Sequence, residues 1–207
     1  MSFSARYFGL TGGIACGKST IAEMLRELGA YIIDADKIGH EMLHPSSAAF
    51  PDLVSAFGRG ILDSAGRIDR KKLGPLVFSD PAKLQQLNRI VHPRIIERTG
   101  KLAATHCAEN PGGVVIVDAA LIFETGIPGR FVKTIVAWCR PEQQVDRLMA
   151  KAGLNREEAD QRIASQMPAD EKRRLSDFVI DCSATLEETR RQVEALYPVL
   201  QKLVRIE

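Results

Sequence analysis

The stretch from Gly12 to Thr20 limits what this chain can become more than any other. It reads Gly12-x-x-x-x-Gly17-Lys18-Ser19-Thr20, and it lies directly between the apolar run Tyr7 to Thr11 and a helical pattern. A strand, a glycine-rich turn and a helix in that order make a P-loop: the glycines let the backbone curl so that successive N–H groups face a polyphosphate. Lys18 can then reach the β- and γ-phosphates, and the Ser19 hydroxyl can ligate Mg²⁺. The loop feeds a helix N-terminus, whose partial positive charge favours the anion. A glycine turn that merely caps a helix is the plainer alternative, and the strand-loop-helix context favours phosphate binding.

The elements that follow alternate. Ile21, Met24, Leu25 and Leu28 form one apolar helix face that stops at Gly29. Tyr31 to Asp34, Val114 to Asp118, Phe131 to Ala137 and Phe178 to Asp181 read as further strands, the second of them continuous enough to be buried on both faces. Short helical pieces are predicted from His40 to Ala108, broken at Pro45, Gly58 to Gly60, Gly66, Pro75, Pro81 and Pro93, with His92 beside a rigid turn at Pro93. A charged helical stretch runs from Pro141 to Leu175. The last helix opens on the capping box Thr185-x-x-Glu188. Such alternation predicts an α/β fold with a parallel sheet, whose ligands sit beyond the C-terminal ends of the strands.

That rule gathers Asp34, Asp36 and Asp118 on the same rim as the P-loop. If Asp34-Ala-Asp36 stays extended, both carboxylates face one pocket, and one could take a proton from an attacking hydroxyl; Asp34 could equally cap the next helix. Asp118 closes its strand either as an acid that holds Mg²⁺ or as the cap of a turn, and Glu124 could orient substrate or the loop. Arg140, Arg147, Lys151, Arg156, Arg162, Lys172, Arg173 and Arg174 concentrate cationic charge in the 140–175 stretch. Most would be solvated helix faces, but a mobile basic lid needs one or two over the γ-phosphate, with Arg147 the first candidate. The Cys16 thiol should sit among N–H donors beside Lys18, which predicts a lowered pKa and alkylation ahead of Cys107, Cys139 and Cys182.

Composition narrows the partners. The 28 basic and 26 acidic residues leave a net charge of +2, so no polybasic field implies nucleic acid. No stretch approaches the ~18 apolar residues of a membrane span. The residues from Met1 to Gly13 lack a long apolar run, so they are expected to be the first element of the fold and not a signal peptide. Scattered cysteines without a C-x-x-C pair, and histidines without ligand spacing, argue against a zinc site or a disulfide framework; a reduced cytoplasmic protein is expected.

Beyond the P-loop, the residues resemble the dephospho-CoA kinases. The likeness runs through Gly9 to Ile14, Gly17 to Thr20, Ile33 to Asp36, Gly66 to Arg70, His92-Pro93, Asp118 to Glu124, Gln144 to Leu148, Ser165-Gln166 and Asp177 to Asp181. The resemblance implies a P-loop kinase with a five-stranded parallel core (1–36, 111–139 and 176–207), a helical substrate-binding domain (37–110) and a helical lid (140–175). It implies transfer of the ATP γ-phosphate to the ribose 3′-hydroxyl of dephospho-CoA with Mg²⁺, by a monomer or weak homo-oligomer. Ala15, Cys16, Gly17, Lys18, Ser19 and Thr20 would bind the ATP phosphates. Asp36 would be the general base, and Thr11, Arg70, His92 and Asp118 would lie around the acceptor and metal. The chain departs from the family pattern at Cys16, Ala119-Ala120, Lys151 and Cys182-Ser-Ala184. Lys151 lacks the planar fork of an arginine, and the last change bears on the adenine contacts. A nucleoside monophosphate kinase would use the same P-loop without both Asp34-Ala-Asp36 and His92-Pro93. A GTP-dependent switch would carry an Asn-Lys-x-Asp motif, which is absent.

Overall fold

The computed structural model describes residues 6–205, apart from the Phe78 side chain. Residues 1–5 of the expected N-terminal element and residues 206–207 lie outside that range. The chain divides into two compact units, one from residues 1–34 and 103–207, the other from 35–102.

The first unit is built on strands β1 (Phe8–Gly12), β2 (Tyr31–Asp34), β3 (Val115–Asp118), β4 (Thr134–Trp138) and β5 (Phe178–Asp181), ordered β2-β3-β1-β4-β5. Every pairing is parallel, as the alternation with helices requires. β1 and β3 are buried along their whole length, which explains why their sequences run apolar without alternation. Register puts Leu10 of β1 and Asp34 of β2 level with Asp118, so the strands end together on one rim.

Helices α1 (Lys18–Glu27) and α9 (Leu186–Arg205) pack on one face of this sheet. Ile21, Met24 and Leu25 meet Val193, Leu196 and Leu200 over Phe8, Leu10, Ile116 and Ile135. Leu25 is completely buried, so Leu25→Ala would cost about 2–5 kcal/mol. α1 ends where Gly29 turns left-handed at φ 100°: its N–H reaches the Arg26 carbonyl, and the Ala30 N–H reaches Leu25, a glycine-dependent stop. The expected capping box at α9 forms in both directions between Thr185 and Glu188. Residues 141–175 fold as α6 (Pro141–Ala152), α7 (Arg156–Ala164) and α8 (Ala169–Leu175).

The second unit holds α2 (Ala35–Glu41), α3 (Phe50–Phe57), α4 (Arg70–Phe78) and most of α5 (Pro81–Glu109) around Leu53, Ile61, Leu73, Val77 and Val91. Three sequence expectations fail here, the first being the break at Pro75, which lies inside α4. Pro93 does not break the chain but lies within the 29-residue α5, so His92 is helical and not beside a turn. A mid-helix proline costs about 3 kcal/mol. Val91 is buried in this unit's core, worth about 1.5–3 kcal/mol, and the partly buried Ile90 and Ile95 pack against it, so that together this burial offsets the proline. Likewise the chain does not stay extended through Asp34-Ala-Asp36: α2 starts at Ala35, so Asp36 occupies its first turn and no longer shares a strand face with Asp34.

Candidate active site

The turn from Gly12 into α1 is held tightly from below. β1 ends at Gly12, where a Cβ would come within 2.6 Å of the Ala137 carbonyl of β4, so only glycine allows this approach. The loop then folds back, with the Cys16 N–H donating to the Gly13 carbonyl at 3.1 Å. Ala15 takes φ 60°, the only positive value at a non-glycine among the described residues, and Gly17 takes φ 100°. Left-handed residues inside a turn direct consecutive N–H groups to one side, the geometry of an anion nest. No side chain caps α1 at Gly17, which leaves its first turn to a ligand.

Lys18 opens α1, and its ammonium pairs with an Asp118 carboxylate oxygen at the end of β3. Both side chains are largely buried, so the strand-end acid and the loop lysine form one site, as the rim argument expected. Ser19 and Thr20 are exposed on the same turn. Thr11 is fully buried and donates its hydroxyl to the Ala120 carbonyl at 3.0 Å, which ties β1 to the turn after Asp118. Arg147 is anchored with its guanidinium on the Cys182 carbonyl at 2.8 Å, and the Cys182 sulfur lies 3.0 Å from where a Gly17 Cβ would be.

Sequence reasoning assigns no role to two glutamines that the family likeness includes, Gln144 and Gln166. Gln144 of α6 donates to the Ile14 carbonyl at 2.9 Å, and the Ile14 N–H donates to Gln166 at 3.2 Å, so the loop is gripped on both sides by neutral residues of the 140–175 segment. Attention to charge hid them. The available signal was Gln144 itself, a polar residue on the helix face that buries Val145 and Leu148.

The Cys16 expectation is overturned. Its side chain turns into the core, not toward the phosphate side; it is fully buried, 3.4 Å from the Cys139 sulfur. The hydrogen bond with Cys139 and burial push its pKa up, and burial pushes Cys182 up to about 11. Cys139 is instead lowered, chiefly by its hydrogen bond with Cys16.

Within the second unit, Asp36 is exposed in the first turn of α2. Arg70 is the first residue of α4, which Asp69 caps by accepting from the Lys71 N–H at 2.8 Å. Just before it, the Asp63 carboxylate closes a turn by accepting from the N–H groups of Ala65 and Arg67, both at 2.9 Å. Arg70 borders a cavity of about 620 Å³ with His40, His44, Arg67 and Lys71, but also with Asp63 and Asp69, a lining of mixed charge beside Leu43 and Ile68. His92 does not line it; burial lowers the His92 pKa, which keeps the imidazole neutral at pH 7.

A family model for dephospho-CoA kinase matches residues 6–188. The chain belongs to the dephospho-CoA kinase family. It is 44% identical over 193 residues to a dephospho-CoA kinase domain-containing protein of Danio rerio, covering 93% of this chain and 84% of the relative. To the dephospho-CoA kinase of Aquifex aeolicus it is 40% identical over 194 residues, with 94% and 97% covered. Among solved structures, the dephospho-CoA kinase of Campylobacter jejuni superposes with a TM-score of 0.62 at 29% identity, covering 95% of this chain and 98% of that one. A Thermus thermophilus protein reaches a TM-score of 0.78 at 32% identity, with 94% and 97% covered. These likenesses agree with a P-loop kinase fold, and no described helix is long and apolar enough to cross a membrane.

Proposed function

We propose that this chain transfers the γ-phosphate of ATP to the ribose 3′-hydroxyl of dephospho-CoA, giving coenzyme A and ADP. The observation that carries the reading is the Lys18–Asp118 pair at the mouth of a left-handed Ala15–Gly17 loop, in a chain of this family. The backbone of Ala15 to Thr20 cradles the phosphates, and Lys18 moves from Asp118 onto the β- and γ-oxygens as charge develops there. Arg147, anchored beside Gly17 through Cys182, supplies a second cation.

Mg²⁺ fits the residues present. Ser19 and Asp118 offer hard oxygen donors, and among the described residues no group of three acidic, histidine or cysteine side chains could hold a metal alone. That suits an ion that keeps its waters and takes substrate phosphates as ligands. When bound, it neutralises charge on the transferred phosphoryl group. Asp36 accepts the proton of the attacking hydroxyl. Arg70, with Arg67 and Lys71 beside it, takes the anionic part of the acceptor; Thr11 acts from beneath by holding the turn after Asp118, and His92 acts from α5, outside that cavity's lining. In this reading the helical segment 37–110 is the acceptor domain, 140–175 is the lid, and the enzyme works in the cytoplasm, where its four free cysteines stay reduced.

The test is an ADP-release assay with Mg-ATP and either dephospho-CoA or a nucleoside monophosphate as acceptor. Turnover with dephospho-CoA alone is expected, and Lys18→Ala should lower it by about 10²-fold or more, the loss typical of one transition-state charge contact. Turnover only with the monophosphate would reject the acceptor assignment; normal turnover of Lys18→Ala would reject the loop.

A further inference from the structure

Lys172 is a cation with no exposed side chain at all. Its ammonium donates to the Ala120 carbonyl and to Glu124 Oε1, both at 2.7 Å. Two more donors converge on those same acceptors: the Thr11 hydroxyl on Ala120 at 3.0 Å, and the Met167 N–H on Glu124 Oε1 at 3.1 Å. One buried charge therefore joins the end of β1, the turn after Asp118 and the entry to α8. Sequence reasoning counts Lys172 among the basic residues available to a lid; its burial removes it from that set.

We infer that Lys172 and Glu124 are a positioning pair for phosphoryl transfer, holding the turn 119–124, and through it Asp118, in register with Lys18. The inference rests on the reading that Lys18 and Asp118 serve that reaction. The strand ladder fixes one side of Asp118, with the Ala119 N–H on the Leu10 carbonyl at 3.0 Å. Beyond that bond the Ala120 carbonyl is held by Thr11 and Lys172. Only the lysine end of the pair is desolvated, since Glu124 keeps part of its side chain exposed, and the cost of burying Lys172 leaves little net stabilisation to explain the arrangement. What the ions add is direction: a rigid acceptor and a multiple donor that fix where the turn lies. Misplacing a reacting group by about 1 Å can cost about 10²-fold in rate.

A reporter is built in. Trp138 is the only tryptophan, and its ring is bound by α8 through Asp170 Oδ1 at 2.7 Å and the Arg173 guanidinium 4.2 Å above it. Its emission therefore reads whether α8 stays docked, independently of turnover.

The experiment compares the wild type with Lys172→Met and with the double variant Lys172→Met/Glu124→Met. It measures kcat, KM for ATP and dephospho-CoA, Tm and tryptophan emission, with kinetics taken well below every Tm. Lys172→Met removes the donor shared by the Ala120 carbonyl and Glu124, and should lose both Tm and kcat. The double variant should recover most of the Tm and keep wild-type emission. Its kcat should nevertheless stay about 10- to 100-fold down, with KM for ATP changed less than about threefold, since the defect is one of geometry in the transition state. Should Lys172→Met fail to fold, the double variant decides alone. Recovery of kcat together with Tm would make the pair merely structural and overturn the inference, as would a kcat loss accompanied by shifted emission, which would assign the pair to docking α8. A wild type that makes no coenzyme A would overturn the functional reading, and this inference with it.

Discussion

Gly17→Ala separates two costs that the loop geometry imposes at one atom. Gly17 enters α1 at φ 100° and ψ 9°, and a Cβ there would come to 3.0 Å from the Cys182 sulfur. Placing an L side chain in the left-handed region costs about 1–2 kcal/mol. Forcing a methyl against a packed sulfur adds about 1–3 kcal/mol. The sum, about 2–5 kcal/mol, corresponds to a Tm drop of about 5–15 °C for a chain of this size. The components can be told apart, because Cys182→Ala deletes the sulfur and leaves the backbone angle untouched. Thermal and urea melts of the wild type, both single variants and the double variant should give a favourable coupling of about 1 kcal/mol, with the φ cost persisting in the double variant. Additivity within about 0.5 kcal/mol, the range expected of independent sites, would refute the contact; a Gly17→Ala protein as stable as the wild type would refute the backbone argument as well.

Other consequences can be checked separately. Asp36→Asn should depress kcat by about 10²-fold while ATP binding measured by calorimetry stays near wild type, and a variant that fails by losing Mg-ATP affinity would move Asp36 to the metal. In alkylation followed by mass spectrometry, Cys107, the one cysteine that is not buried, should label first, with Cys16, Cys139 and Cys182 slower by about 10³-fold or more because they react only through opening of the core; early labelling of Cys16 would contradict its inward orientation. Burial alone would raise the Asp177 carboxyl, but hydrogen bonds from Lys133 at 2.7 Å and from the Thr134 N–H and hydroxyl at 2.7 and 3.0 Å hold it below the ordinary range. The unfolded chain then binds more protons than the folded one as the pH falls below about 5, so this contribution is complete at neutral pH and lost as the pH drops through the depressed folded value. Acid melts should show a shallower loss for Asp177→Asn than for the wild type, and identical slopes would exclude the linkage.

The strands, their C-terminal ends to within a residue and the phosphate loop were legible because each depends on local pattern, β-branched runs, a glycine spacing and an acid at a strand end, whereas β4 starts at Thr134, three residues after the expected Phe131. Periodicity likewise found the buried face of α1 and the cap of α9. What escaped depended on distant partners. Pro93 reads as a break until the packing of Ile90, Val91 and Ile95 around it is known. The side chain of Cys16 meets Cys139, the residue after β4, and nothing in the loop motif specifies which side of the turn that side chain takes. Charge drew attention to the arginines of 140–175, whereas the grip on Ile14 comes from Gln144 and Gln166, and the buried lysine of that segment faces Ala120 and Glu124. Polar side chains at buried helix positions were the signal that charge counting obscured.

The central claim, phosphoryl transfer to the 3′-hydroxyl, is tested most directly by identifying the product. The purified protein is incubated with Mg-ATP and dephospho-CoA, and the acceptor is followed by mass spectrometry and ³¹P NMR. The account requires the gain of one phosphoryl group per dephospho-CoA, a new phosphomonoester resonance that a 3′-nucleotidase removes, and stoichiometric ADP. Acceptor of unchanged mass while ATP is consumed, or a phosphate that the 3′-nucleotidase leaves in place, would contradict it.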